Sequence, residues 1–424
     1  MSHKQDPVIN NLLAFMQASP TAWHAVEQAT AALQERGFKE LKEEEPWKLK
    51  PGEGYYVTRN GSAFCAFILP STKPIAARVI GSHTDSPALK LKPHSEFSVS
   101  NMTMLAVEVY GSPLVSSWFN RDLGIAGRMV YNTDEGDINE TLVNITEHPV
   151  VVPQLAIHLD RDSKEINKQQ HLNAIASISL AEGGSYLRKV ISDQVKFKSI
   201  LAYDLFLYPL EPARLVGENK ELISSYRFDN LGSAHAALHA LTTSHHAHYD
   251  QIKMIVSWDN EEVGSSTAQG AGSPFLPHVI ERIALALGMS REEYLRVMSQ
   301  SHCISVDQAH ALHPNYLEKH DPAHQPLLGG GIVLKTHAGQ RYASDARSSA
   351  IIAQLCANEK LPLQRFSSRN DIPCGTTIGP VNATVTGMST VDIGCPQLSM
   401  HSVRELAACS DHLAMCQLLT AFFN

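Results

Sequence analysis

The chain has 424 residues, enough for one large domain or two ordinary ones, and its 43% hydrophobic and 18% charged content describes a globular protein with ample core material. A net charge of −8 argues against nucleic-acid binding as the main task, and no stretch approaches the roughly 20 apolar residues that a membrane-crossing helix needs. Seven cysteines (Cys65, Cys303, Cys356, Cys374, Cys395, Cys409 and Cys416) are odd in number and scattered without paired spacings, so they read as reduced, mostly buried thiols of a cytoplasmic protein.

Met1–Asp6 leads into an amphipathic segment rather than a secretory apolar core. From Asp6 to Gly37, Trp23, Val26, Ala29, Ala32 and Leu33 recur at helical spacing, which predicts two helices broken near Ser19-Pro20. Strand-like runs follow at Gly54–Thr58, Ala63–Leu69 and Ile75–Ile80. Residues 94 to about 214 change character, with β-branched and alternating patterns such as Thr103–Tyr110 and few convincing helices. Beyond Leu231, helices at Gly232–Leu241, His278–Leu287 and Arg291–Ser299 alternate with strands Ile252–Trp258 and Cys303–Val306, and a last helix is expected from near Val403. The pattern predicts an α/β domain, a mixed sheet flanked by helices, formed by residues 1–93 and 215–424 and interrupted by a β-rich insertion at 94–214.

Ligands of open α/β sheets gather beyond the carboxyl ends of the strands, and several metal-ligand residue types stand there. His83 and Asp85 follow Ala77–Ser82, Glu261 and Glu262 follow Ile252–Trp258, and Asp307 follows His302–Val306. Asp229 precedes a helix, and His401 closes Pro396–Met400. Each has a bland reading: Asp229 as a helix N-cap, Asp307 as a turn residue, the histidines as hydrogen-bonded structural groups, and Glu261-Glu262 as a solvated loop. Recurrence at equivalent places favours a metal centre. A His and carboxylate set without cysteine suits catalytic Zn²⁺, with Mn²⁺ or Co²⁺ as alternatives. The His-x-Asp spacing of His83 and Asp85 fits a ligand oriented by a carboxylate behind it.

Four ordered motifs carry a resemblance: His83-Thr84-Asp85-Ser86-Pro87, Phe228-Asp229-Asn230-Leu231, Asp259-Asn260-Glu261-Glu262-Val263-Gly264-Ser265 and Met400-His401-Ser402-Val403-Arg404-Glu405. Together they resemble those of the aspartyl aminopeptidase family, dinuclear zinc aminopeptidases that assemble as dodecamers. The resemblance implies a zinc-exopeptidase-like fold with an inserted oligomerisation domain, two Zn²⁺ per chain, and hydrolysis of short peptides from a free N-terminus through a metal-bridging hydroxide. By motif, Asp229 would bridge the metals, His83 and Asp307 would complete one site, Glu262 and His401 the other, and Glu261 would be the general base. Adjacent Glu261 and Glu262 can serve two roles if their side chains diverge, as successive residues of an extended backbone do.

The same resemblance implies that His310, Lys335, Tyr342 and Met400 shape the substrate pocket, with Lys335 facing an acidic N-terminal side chain, and that His158 reaches a neighbouring subunit's site. From the residues alone, Lys335 reads as a solvated strand end and His158 equally well as a core histidine. His235 and His239 stand four apart on a helix and read as packing or surface residues; His245, His246 and His248 read as a solvated loop. Three alternatives stay open: an aminopeptidase of neutral preference, a dinuclear carboxypeptidase or deacylase, and a non-catalytic shell-forming protein. A glycosidase using Glu261 and Glu262 is disfavoured because adjacent carboxylates do not readily flank a scissile bond at the required separation.

Overall fold

Alternation along the strands buries both faces of the main sheet. In Gly54–Arg59, Tyr55 and Val57 pack into one apolar cluster and Tyr56 into another. Ala63–Ile68 divides the same way, with Ala63, Cys65 and Phe67 opposite Phe64, Ala66 and Ile68. Such strands read as continuous apolar runs because helices cover both sides. The computed structural model describes residues 6–159, 161, 165–178, 185–244 and 250–424. Its chain divides into two compact units: Met1–Asp85, Ala213–Met400 and Glu405–Asn424 in the first, Ser86–Pro212 and His401–Arg404 in the second. His245, His246 and His248 lie outside the described residues.

The first unit holds a nine-stranded sheet in the spatial order Lys39–Leu41, Gly54–Arg59, Ala63–Ile68, Gln251–Trp258, Ala76–His83, His302–Val306, Ser389–Gly394, Ile332–Lys335 and Leu363–Phe366, beside a smaller five-stranded sheet. The four from Gln251–Trp258 to Ser389–Gly394 run parallel, with antiparallel neighbours on either side, so the sheet is mixed. Helices Pro7–Gln17, Ala22–Glu35, Phe228–Thr243, Ala346–Glu359 and Cys409–Phe423 supply one apolar cluster, and Phe275–Ala286, Arg291–Gln300 and Ile378–Thr386 the other. The sheet packs tightly at Gly81, where an added Cβ would lie 2.8 Å from the Trp258 ring.

The second unit is a six-stranded antiparallel sheet, in the order Ile138–Val150, Leu123–Asn132, Ser199–Pro209, Ala88–Val99, Met102–Tyr110 and Ala174–Ser177. It also carries a short helix, Tyr186–Ser192. The Glu96 carboxylate accepts hydrogen bonds from the Tyr186 and Leu187 amides and the Ser185 hydroxyl, placing an anion at the helix's amino end. The strand Ala88–Val99 falls wholly in this unit, whereas the sequence reading drew the boundary after residue 93.

The expected helix from Val403 is corrected. Glu405–Ala408 is a strand paired with Leu222–Ser225 and Pro396–Leu398, and the last helix begins at Cys409. Its Glu-Leu-Ala-Ala sequence favours a helix, but pairing on both edges overrides that preference. His401 opens no helix; it stands at φ 67° in a turn.

Candidate metal centre

Three parallel strand ends converge in the first unit. His83 ends the central strand Ala76–His83; Trp258, its partner in register, ends the neighbour that leads to Glu261 and Glu262; and Asp307 follows Val306 on the other side. Asp229 arrives from another direction, at the irregular start of Phe228–Thr243, where the helix is broken at Asp229 and Asn230. Arg227, at φ 66°, turns the chain into this position and donates to the carbonyls of Ser19 and Thr84. The Asp229 amide donates to Glu405 Oε2 at 2.9 Å, and the Asn230 side chain to the Val306 carbonyl at 2.9 Å. These bonds fix Asp229 against the strand that leads to Asp307.

Donor atoms of His83, Asp229 and Glu262 lie within 4.8 Å of one another. His83 Nε2 is 3.5 Å from Asp229 Oδ1 and 3.7 Å from Asp307 Oδ1, while its Nδ1 is 3.2 Å from Asp85 Oδ1. The Asp85 carboxylate also receives the Glu261 and Glu262 amides, one on each oxygen, at 3.1 Å. One carboxylate thus orients the histidine and holds the turn that carries both glutamates. That turn, Glu261–Val263, is a single 3-10 turn entered at Asn260 and left at Gly264, both with positive φ. The expectation of an extended backbone is therefore corrected. The tight turn, rather than strand alternation, sets the two side chains' directions.

The electrostatics are those of crowded acids. Burial alone would lower the His83 pKa, but Asp229, Asp307 and Asp85 outweigh it and hold the imidazole well above its ordinary value. Burial pushes Glu261 up to about 8, with Asp307, Asp85 and Asp229 adding to the rise against the opposing His83. Asp259, which sequence reasoning left unassigned, is raised to about 7 by burial and by Asp85. One imidazole faces a surplus of carboxylates, a mixed nitrogen and oxygen donor set that suits divalent cations of the zinc type. The residues present therefore fit the metal that the sequence implies.

A family model described as aminopeptidase I zinc metalloprotease (M18) matches residues 15–423. The chain belongs to the M18 family of zinc metalloprotease aminopeptidases. It is 41% identical over 426 residues to a probable M18 family aminopeptidase 2 of Clostridium novyi (strain NT), with 98% of each chain covered. With a protein of the same description from Stutzerimonas stutzeri (strain A1501) it shares 39% over 432 residues, 99% of each. Among solved structures, Ape4 in its complex with Nbr1 aligns with a TM-score of 0.94 at 34% identity, covering 100% of this chain and 87% of that one. The S. cerevisiae mApe1 dodecamer aligns at 0.86 and 27%, covering 99% and 97%. The M18 fold, a mixed α/β sheet with an extra domain, is the architecture expected from sequence.

The remaining candidates disperse. His310, Tyr342 and Met400 line a cavity of about 390 Å³ in the first unit, together with Lys319, Phe366 and Arg369. Lys335 is not on that lining. It is buried, not solvated: its ammonium donates to the Asp307 and Gln308 carbonyls at 3.1 Å and lies 5.1 Å from the Tyr342 ring centroid. His401 belongs to the second unit, its Nδ1 3.0 Å from the Ser112 carbonyl oxygen. His158, also there, is exposed and so is not the core histidine that one reading offered; Leu155, Ile157 and Leu159 beside it are exposed too. Glu405 stood inside a quoted motif, but its contact with the Asp229 amide depends on a strand register that no local pattern announces. Among the described residues, no helix is long and apolar enough to cross a membrane.

Proposed function

We propose that this zinc aminopeptidase would hold two metal ions per chain, with Asp229 serving both, His83 and Asp307 the other ligands of one, and Glu262 and His401 those of the second. Its substrates would be short peptides with a free N-terminus, from which it removes single residues, preferentially Asp or Glu. The observation that carries the reading is the convergence of buried His83 and Asp229 with half-buried Glu262 at the Asp85-held turn. For His401 the support is its motif. Bound zinc supplies a Lewis acid for the scissile carbonyl and acidifies the attacking water. Glu261 would be the general base, accepting a proton from the attacking water and returning it to the leaving amine. Asp85 is a positioning residue, acting through the Glu261-Glu262 turn and the His83 ring.

The cavity lined by His310, Tyr342 and Met400 supports the acidic preference through Lys319, since Arg369 on the same lining is paired with Asp371. The neutral alternative draws on the commitment of Lys335 to two backbone carbonyls. Initial rates on matched peptides beginning with Asp, Glu, Leu, Ala or Lys separate the two: faster turnover of Leu or Ala removes the acidic preference. An N-acetylated Asp peptide is expected to resist, and its cleavage would favour the deacylase reading.

Assembly of six dimers into a dodecamer, with His158 completing a neighbour's site, extends the proposal. Support comes from the exposed run Leu155–Leu159 and from the dodecameric state of the similar mApe1. A fully active monomer on sizing would overturn it.

A further inference from the structure

A second cluster of metal-ligand atoms lies outside the peptidase centre. His235 sits on the helix Phe228–Thr243, while His412 and Cys416, one turn apart, sit on Cys409–Phe423. All three are buried, and one donor atom from each lies within 4.8 Å of the other two. His235 Nδ1 is 3.0 Å from His412 Nε2, and Cys416 Sγ is 3.5 Å from the same nitrogen. The other nitrogen of His235 is 2.8 Å from Asn11 Oδ1.

Neutral tautomers satisfy the Asn11–His235–His412 pairs and leave the Cys416 thiol only a weak contact. Asn11 Oδ1 accepts from His235 Nε2–H, which leaves a lone pair on His235 Nδ1 aimed into the cluster. For His412 Nε2 to meet that lone pair it must carry its own proton, and then it cannot accept from the Cys416 thiol. His412 Nδ1, on the far side of the ring, has no hydrogen-bond partner among the described residues. A cation would take lone pairs from His235 Nδ1, His412 Nε2 and Cys416 Sγ at once. The oxygen behind His235 is the partner that metal-bound histidines characteristically have.

We propose that His235, His412 and Cys416 form a thiolate-containing site for a borderline-soft cation of the Zn²⁺ type, which ties the helix Phe228–Thr243 to the C-terminal helix. Metal bonds of about 2.0–2.1 Å to nitrogen and about 2.3 Å to sulfur in tetrahedral array put nitrogen and sulfur about 3.5 Å apart, and two nitrogens about 3.4 Å. The Cys416–His412 separation of 3.5 Å already meets this, and the His235–His412 contact of 3.0 Å must open by only about 0.4 Å. Burial keeps both imidazoles neutral, His412 being lowered to about 3, so their lone pairs are available at neutral pH; the same burial raises the Cys416 thiol, whose proton the cation must displace. Binding exchanges the Cys416 S–H proton for an S–metal bond and releases the proton to solvent.

Cobalt distinguishes this site from the peptidase centre, whose candidate donors are nitrogen and oxygen only. The full-length protein, stripped of metal and titrated with Co²⁺, is expected to develop a thiolate-to-cobalt charge-transfer band in the near ultraviolet. Cys416→Ser should abolish the band while retaining peptidase turnover, and Cys374→Ser should leave it intact. His412→Asn serves if Cys416→Ser does not fold. Absence of the band from the wild-type protein at saturating Co²⁺, or its persistence in both Cys416→Ser and His412→Asn, would overturn the proposal.

Discussion

Asp85→Asn tests how the metal centre is held. The carboxylate accepts two backbone amides at 3.1 Å, from Glu261 and Glu262, and faces His83 Nδ1 at 3.2 Å. Asparagine keeps the shape but offers one acceptor oxygen, so its amide nitrogen must oppose either the Glu262 N–H or the Glu261 N–H together with the imidazole. Hydrogen bonds to a charged acceptor contribute about 1.5–3 kcal/mol, and a buried donor left unpaired costs about 1–3 kcal/mol. Removing a charge also relieves Asp259 and Glu261, both of whose pKa values Asp85 raises. That relief offsets part of the loss, leaving a destabilisation of about 2 kcal/mol in the metal-free protein. Loss of the anion behind a ligand histidine typically weakens metal binding about 10–100-fold. Chelator competition should read that drop in zinc affinity. Turnover should stay low when zinc is resupplied to saturation, because the glutamate turn is displaced as well. Wild-type zinc affinity together with wild-type turnover in Asp85→Asn would refute the positioning role.

Three further perturbations address other parts of the structure. An added Cβ at Gly394 would lie 1.9 Å from the Asp307 carbonyl oxygen, so Gly394→Ala should cost about 3 kcal/mol and lower chelator-resistant zinc; an unchanged thermal midpoint would contradict this packing. Burial, with the Arg227 charge, lowers His24 from 6.5 to about 4. As pH falls from about 6.5 towards 4, the unfolded chain takes up a proton that the folded one refuses. Stability should fall by up to about 3 kcal/mol over that window, and by less in His24→Asn. Urea midpoints that decline in parallel for both proteins would remove His24 from the account. If the buried ammonium of Lys335 supplies the charge that selects acidic residues, Lys335→Met should lower the Asp-over-Leu ratio of kcat/KM by about ten-fold, equivalent to about 1.4 kcal/mol. An unchanged ratio would confine Lys335 to holding the Asp307 and Gln308 carbonyls.

The strand ends that present His83, Glu262 and Asp307 were legible because helices on both faces force unbroken apolar runs, and a polar residue after such a run is conspicuous. The turn at Glu261–Val263 was not. It depends on positive φ at Asn260 and Gly264 and on a remote carboxylate, Asp85. Glu405–Ala408 was misread as helix because its composition is helical while its partners, Leu222–Ser225 and Pro396–Leu398, are distant in sequence. Lys335 looked like a solvated strand end because no sequence pattern reveals which carbonyls will surround an ammonium. The His235 cluster was hidden for the same reason. The sequence reading took His235 and His239 as packing or surface residues, whereas packing of two helices sets His235 against His412 and Cys416.

The assignment of Glu261 as the group that moves the proton is tested most directly by measuring zinc content and kcat together in Glu261→Gln. The predicted result is wild-type zinc with kcat reduced by about 10²–10⁴-fold, because the amide can neither accept the water's proton nor return it. Near-wild-type turnover would contradict the assignment. Loss of zinc would instead make Glu261 a ligand and leave the base to be found elsewhere.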